Sequence, residues 1–183
     1  KGPRAMADIE NLVSCDVSPM KPGQCRYGLM CNENGGVIDD LLVYRKGKDD
    51  FMLVVNAGTQ DGDFKWLTSH VSAGTVAVNI SSETAKFDLQ GPASVKIVQG
   101  ILDEPVMDMK FYYFKETTAG GRKVLVSRTG YTGEIGFEIY GDPDLLVELW
   151  RSCMKMGAEP AGLGARATLR LELGMPLYGH ELD

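Results

Sequence analysis

Histidine is almost absent from this chain: His70 and His180 are the only two in 183 residues. They lie in different halves, so neither a local His-centred nucleophile nor an imidazole-rich metal site is suggested. Cysteine is sparse too. Cys15, Cys25, Cys31 and Cys153 contain no C-x2-C spacing, so a structural zinc site is poorly supported and no metal is expected. Four thiols are too few for a disulfide scaffold at this length, and reduced, mostly buried cysteines in a cytosol-like compartment are the expectation. No run approaches the roughly 18 apolar residues of a membrane helix. Basic residues are in deficit, 19 Lys+Arg against 25 Asp+Glu for a net charge of -6. That argues against a nucleic-acid partner, which needs a basic face. The chain has no GxxxxGK[ST] loop, and Ser127 lacks a G-x-S-x-G elbow. The glycines near 162–166 lack the preceding strand of a dinucleotide fingerprint. There is no low-complexity tract and no fixed-period repeat. The opening KGPRAM carries neither an initiator Met nor a targeting pattern, which leads to the expectation of a piece processed or excised from a longer protein.

What is present is the composition of a folded protein, with 44% hydrophobic and 24% charged residues. Residues 3–13 put Met6, Ile9, Leu12 and Val13 at helical spacing. Residues 23–31 and 37–45 read as two strands of a hairpin around the turn Asn32-Glu33-Asn34-Gly35-Gly36. FMLVVN (51–56) reads as a third strand. A helix follows over 61–72 behind Asp61 or Asp63 as cap, and TVAVNI (75–80) reads as a fourth strand. The second half predicts strands at 86–91, 110–115, 122–128 and 134–140. It also predicts helices at 93–102, at 142–157 with Asp142 as cap and Pro143 in the first turn, and at 161–174 ending on Gly174. The fold class is therefore α+β: antiparallel sheets with flanking helices. Two subdomains are expected, 1–81 carrying the hairpin and 82–183.

Two features stand out chemically. Asp39-Asp40 places two carboxylates inside an apolar strand, which is costly unless they are paired or wet. Strand alternation puts Asp40, Leu42 and Tyr44 on one face and Asp39, Leu41 and Val43 on the other. One acid can enter a pocket while the other meets solvent or caps the turn; alternatively, both simply close the hairpin. The second feature is Ser127-Arg128-Thr129-Gly130-Tyr131-Thr132-Gly133-Glu134, with Glu138 beyond. Its glycines permit close approach of a ligand, and an ordinary solvated hairpin turn is the other reading. Arg166 and Arg170 also read as surface ion-pair partners of neighbours such as Glu172, and Tyr112-Tyr113 as packing.

CNENGGVIDDLLVY, VVNAGTQDGDFKWL, SRTGYTGEIGFEIY and GLGARATLRLELGMPLYGHELD, in this order, resemble the aminomethyltransferase family, the T protein of the glycine cleavage system. The resemblance covers essentially the whole chain. It implies a folate-binding region truncated at both ends, lacking an FDVSHM-like segment before it and a β-barrel domain after it. The implied activity is transfer of the aminomethyl unit from the lipoyl arm of H protein to tetrahydrofolate, with release of ammonia and formation of 5,10-methylenetetrahydrofolate. The implied partner is lipoylated H protein, with no nucleic acid and no membrane, in bacterial cytoplasm or a mitochondrial matrix, cytoplasm favoured.

Carried onto this sequence, the resemblance makes Asp40 the catalytic residue. It assigns folate contacts to Tyr27, Leu42, Tyr44, Val54, Asn56, Tyr112, Tyr113, Tyr131, Glu138 and Arg166. The residue types suit the chemistry. Tyrosines and aliphatic walls suit a flat pterin, and a carboxylate such as Glu138 can accept two adjacent pterin donors in a fork. Arg166 could meet the pterin carbonyl, the folate carboxylates or Asp40. Two departures appear: Ala167 replaces an acid that often follows the arginine of GAR, which would loosen Arg166, and Met175 replaces an aromatic. Alternative readings are the folate domain of a sarcosine or dimethylglycine dehydrogenase, a demethylase, an iron–sulfur maturation factor that binds folate, or a non-catalytic folate-binding module. The functional reading requires Asp40 and Glu138 to share one cleft.

Overall fold

A computed structural model describes residues 1–182. The elements in chain order are α1 (Ala5–Leu12), β1 (Cys25–Cys31), β2 (Val37–Arg45), β3 (Phe51–Val54), α2 (Gln60–His70), β4 (Ala85–Gln90), α3 (Ser94–Ile101), β5 (Phe114–Ala119), β6 (Arg122–Ser127), β7 (Gly136–Gly141), α4 (Pro143–Lys155) and α5 (Leu163–Glu172). The two sheets are antiparallel, with strand orders β1-β2-β3 and β4-β7-β6-β5, and helices flank them. The chain divides into two compact units, Lys1–Asn79 with the segment from Leu177 onward, and Ile80–Pro176.

In the first unit the hairpin forms where the sequence predicts it. Asn32 Oδ1 accepts from the backbone N–H groups of Asn34 at 2.9 Å and Gly36 at 3.1 Å, closing the turn with side-chain chemistry. Gly35 sits at φ +84°, a conformation costly for any residue with a Cβ. Register is set by burial. Leu41 and Val43 face the core with Ile9, Val13, Val17, Met20 and Met30, and slipping β2 by one residue would turn them to solvent. Each such side chain contributes about 1.5–3 kcal/mol when fully buried.

Two expectations fail in this unit. The TVAVNI segment is not a strand. Val76 exchanges reciprocal 2.8 Å backbone bonds with Lys1, while Thr75 N–H bonds Ser72 O at 3.1 Å and Ile80 O accepts from Glu83 N–H at 3.1 Å, contacts of turns rather than of a ladder. Val76 and Val78 are 64% and 72% exposed. Alternation gives this segment a strand's periodicity, but a ladder also needs a neighbouring edge. The cap of α2 is Thr59 rather than Asp61 or Asp63, and its hydroxyl makes no capping bond to the backbone N–H groups of the first turn. Asp63 is instead the buried residue of the helix.

In the second unit, Phe87, Leu89, Val124, Val126, Phe137 and Ile139 pack against α3 and α4. Asp142 caps α4 as predicted, its Oδ1 accepting from Leu145 N–H at 3.0 Å, with Pro143 in the first turn. The predicted strand at 110–115 is displaced. Tyr113 N–H bonds back to Lys110 O at 3.1 Å, making 110–113 a turn. The strand β5 begins at Phe114 and forms a hairpin with β6 that sequence reading missed. The predicted pairing of 122–128 with 134–140 is present as β6–β7, with Ser127 opposite Glu138.

Candidate functional site

The first unit brings six of the predicted residues onto one sheet face. Tyr27, Leu42 and Val54 are direct cross-strand partners on β1, β2 and β3, so they form one apolar row. Asp40 is the next residue on that face of β2. Tyr27 OH donates to Asp40 Oδ2 at 2.9 Å. Asn56 lies two residues past Val54, where the ladder would set it opposite Asp40. Its Nδ2 donates to Asp40 Oδ1 at 2.6 Å. Both oxygens of Asp40 are thus held by side chains while the residue remains half-buried. Tyr44 shares this face but is 0% exposed, so it is packed inside the unit rather than presented at the surface.

Asp39 neither meets solvent nor caps the turn, contrary to expectation. It is 0% exposed among the core residues. Its carboxylate accepts from Asn56 N–H at 2.9 Å, Asn56 Nδ2 at 2.7 Å and Thr59 Oγ1 at 3.0 Å. Asp63 lies against it. Burial pushes the Asp63 carboxyl up, a Thr59 hydrogen bond partly opposes this, and the charge and carboxyl contact of Asp39 push it further, to about 7. Asp39, Thr59 and Asp63 were not singled out as site residues. The available signal was the doubled acid in an apolar strand, since a buried carboxylate must find donors.

The second unit holds Tyr131, Glu138 and Arg166 in one connected polar chain. Glu138 is 5% exposed. It accepts from Lys86 Nζ and Thr129 Oγ1, and from Tyr140 OH at 3.2 Å. Burial would raise its pKa, but the Lys86 charge and these bonds outweigh burial and hold it below the ordinary value. Lys86 also reaches Asp88 Oδ1 at 3.0 Å, and Arg166 donates to Asp88 Oδ2 at 2.7 Å. Asp88, which the sequence reading did not offer as a partner for Arg166, holds it within this unit, where Ala167 stands in place of an acid. The Arg166 guanidinium lies 4.6 Å from the centroid of the Tyr131 ring, whose hydroxyl donates to Pro176 O. Arg166 also lines a cavity of about 610 Å³ along β4, which contains no other predicted site residue. Arg170, read as a surface ion-pair residue, is 7% exposed and donates to Met175 O at 3.1 Å.

The glycines of the TGYTG turn admit a side chain of the protein itself. A Cβ on Gly130 or Gly136 would fall 2.1 or 2.0 Å from Gln90 Oε1. Gln90 Nε2 donates to Thr129 O at 3.2 Å, and Thr132 Oγ1 donates to Gln90 Oε1 at 3.0 Å. Tyr112 and Tyr113 sit apart from the Glu138 chain in their own turn. Tyr112 adopts φ +62°, an uncommon conformation for a bulky residue, and its N–H bonds Arg128 O at 3.0 Å. Lys86, Asp88 and Gln90 were missed. They alternate with the apolar Phe87 and Leu89 on β4, a period-2 signal for one polar face.

Residues 1–183 match the GCVT N-terminal domain family. The chain belongs to that family. Relatives named aminomethyltransferase from Bacillus cereus strain AH187 and Bacillus mycoides strain KBAB4 are each 46% identical over 188 residues, covering 100% of this chain and 51% of theirs. A crystal structure of the glycine cleavage system aminomethyltransferase T from Bartonella henselae is 31% identical, with a TM-score of 0.88, over 100% of this chain and 49% of that one. The chain therefore spans about half the length of these GCVT-domain relatives. Among the described residues no helix is long and apolar enough to cross a membrane.

Proposed function

We propose that this GCVT N-terminal domain is the folate-binding part of an aminomethyltransferase, and that Asp40 is its catalytic residue. The reaction takes the aminomethyl unit from the lipoyl arm of H protein and delivers it to tetrahydrofolate. Ammonia is released and 5,10-methylenetetrahydrofolate is formed. The observation that carries this reading is the Asp40 carboxylate clamped between Tyr27 OH and Asn56 Nδ2, at 2.9 and 2.6 Å, beside the apolar row Tyr27–Leu42–Val54.

The residues fit the acceptor's chemistry. Tyr27, Leu42 and Val54 offer a wall for a flat heteroaromatic ring. Tetrahydrofolate, when bound, supplies the amine nitrogens that accept the one-carbon unit. Asp40 supplies negative charge beside those nitrogens and a base for the proton that leaves one of them, an effect of about 10²–10⁴-fold. Fixing Asp40 from both sides removes reorientation at the moment of reaction. In the second unit Glu138 is the proposed anchor for the pterin donors, with Tyr131 and Arg166 beside it and Tyr112 and Tyr113 as further ring contacts. That role requires Lys86 to give up Glu138 and rest on Asp88, which it already contacts at 3.0 Å. Tyr44 supports the row from within the unit.

The test uses the full-length protein. Ammonia release from aminomethylated H protein is followed with and without tetrahydrofolate, and tetrahydrofolate binding is measured by tryptophan fluorescence. Asp40→Asn binds tetrahydrofolate like wild type and turns over about 10²–10⁴-fold more slowly. Full activity of that variant, or no tetrahydrofolate binding by wild type, refutes the reading.

A further inference from the structure

Behind the proposed catalytic face lies a set of groups that cannot touch a substrate, because Asp39 is 0% and Asp63 3% exposed. Asn56 connects them to the site. Its side-chain amide has two donor hydrogens and one acceptor oxygen. Nδ2 donates to Asp39 Oδ1 at 2.7 Å and to Asp40 Oδ1 at 2.6 Å. Flipping the amide would set its oxygen against two carboxylates, so the two acids together define its orientation. Asp39 also takes Asn56 N–H and Thr59 Oγ1 on its other oxygen, at 2.9 and 3.0 Å. It therefore fixes the backbone and the side chain of Asn56 at once.

We propose that Asp39 is a positioning residue that sets the orientation of Asp40 through the Asn56 amide. This rests on the reading of Asp40 as the group that meets the acceptor.

Asp63 supplies the condition under which the arrangement holds. Its Oδ2 finds no donor among the described residues, so the contact between the two acids lacks one hydrogen, which a proton on Asp63 provides. Asp63, pushed up to about 7, carries that proton below neutrality and donates it to Asp39. Above neutrality the two buried charges repel, and Asp39 loosens its hold on Asn56. The other titratable groups at this point are Asp40 from β2 and Tyr27 from β1. Among the described residues no Lys, Arg or His forms an ion pair with Asp39, Asp40 or Asp63. No cation therefore stands ready to replace the proton.

The experiment compares full-length wild type, Asp39→Asn and Asp63→Asn between pH 5.5 and 9. The measurements are kcat for ammonia release, the Kd for tetrahydrofolate, thermal unfolding, and the NMR signals of the Asn56 side-chain amide protons. Asp39→Asn lowers kcat by about 10²-fold, the scale of a small misplacement at a reacting centre. Its tetrahydrofolate Kd stays within about threefold, and its Asn56 amide protons lose exchange protection. Asp63→Asn, whose amide donates to Asp39 at every pH, abolishes the decline of kcat that wild type shows above neutral pH. If Asp39→Asn fails to fold, the pH profile of Asp63→Asn and the wild-type Asn56 signals across the same range decide the matter. Wild-type kcat in a folded Asp39→Asn, or identical pH profiles for wild type and Asp63→Asn, overturns the proposal. A fully active Asp40→Asn defeats the functional reading instead, and is distinguished because the Asn56 amide signals then still shift with pH and with Asp39→Asn. Amide signals indifferent to both defeat the positioning role on their own.

Discussion

Replacing Lys86 with Met is the sharpest test of how the second unit is held together. Glu138 keeps only 6% of its side chain in solvent, and Lys86 is its sole cationic partner among the described residues. Removing one member of a buried pair leaves an uncompensated charge, at a cost of about 3–5 kcal/mol. Here the lower end applies, about 3 kcal/mol, because Lys86 is itself 32% exposed and Thr129 and Tyr140 still donate to Glu138. The pH dependence supplies a second signature. In wild type Glu138 titrates below its ordinary 4.5, so its contribution is present above that pH and is lost as pH falls through the folded value. In Lys86→Met the burial effect stands without its strongest opponent, and Glu138 protonates more readily. The stability gap between the two proteins therefore narrows on acidification below about pH 5. Urea unfolding at pH 7 and pH 4 reads both effects. A Lys86→Met protein within about 1 kcal/mol of wild type at pH 7, or a gap that widens in acid, would refute the assignment of Lys86 as the group that keeps Glu138 charged.

Other outcomes follow from the same contacts. Asp63 is pushed up to about 7 in the folded chain from an ordinary 3.8, so its stabilisation is complete below the unfolded value and is lost as pH rises through the folded one. The slope reaches at most about 1.4 kcal/mol per pH unit. Asp63→Asn flattens that window, as chemical denaturation between pH 4 and 8 will show. Gly136→Ala drives a Cβ to within 2.0 Å of Gln90 Oε1 and costs about 1–3 kcal/mol; adding Gln90→Ala recovers part of the loss in a double-mutant cycle. Val76→Thr and Val78→Thr, at positions 64% and 72% exposed, change the stability of this chain by no more than about 0.5 kcal/mol. A large loss on thermal melting would mean that these valines are packed.

Local signals carried most of the secondary structure. The turn Asn32–Gly36 and the run Val37–Arg45 coincide with the observed hairpin because the side chains that close the turn are within five residues of each other. Asp142 and Pro143 start α4 for the same reason. The parity of β2 put Asp40 and Leu42 on one face, and the register of β3 added Val54. Prediction failed where a segment's own pattern does not reveal whether a pairing edge lies beside it. TVAVNI has the alternation of a strand but forms no strand ladder among the described residues. KETTA, polar and unremarkable, becomes β5 because β6 provides one.

The sequence alone determined the family, the antiparallel α+β character and the placing of the two acids of β2 on opposite faces, since each depends on residue order or on a period of two. The tertiary structure decided what surrounds each charge. It put Asp39 inside with Asn56, Thr59 and Asp63, paired Glu138 with Lys86 and gave Arg166 to Asp88. It also filled the space between Gly130 and Gly136 with the Gln90 amide. The physical reason is common to all four. A buried polar group is stable only with partners, and those partners come from segments that the chain brings together only when it folds.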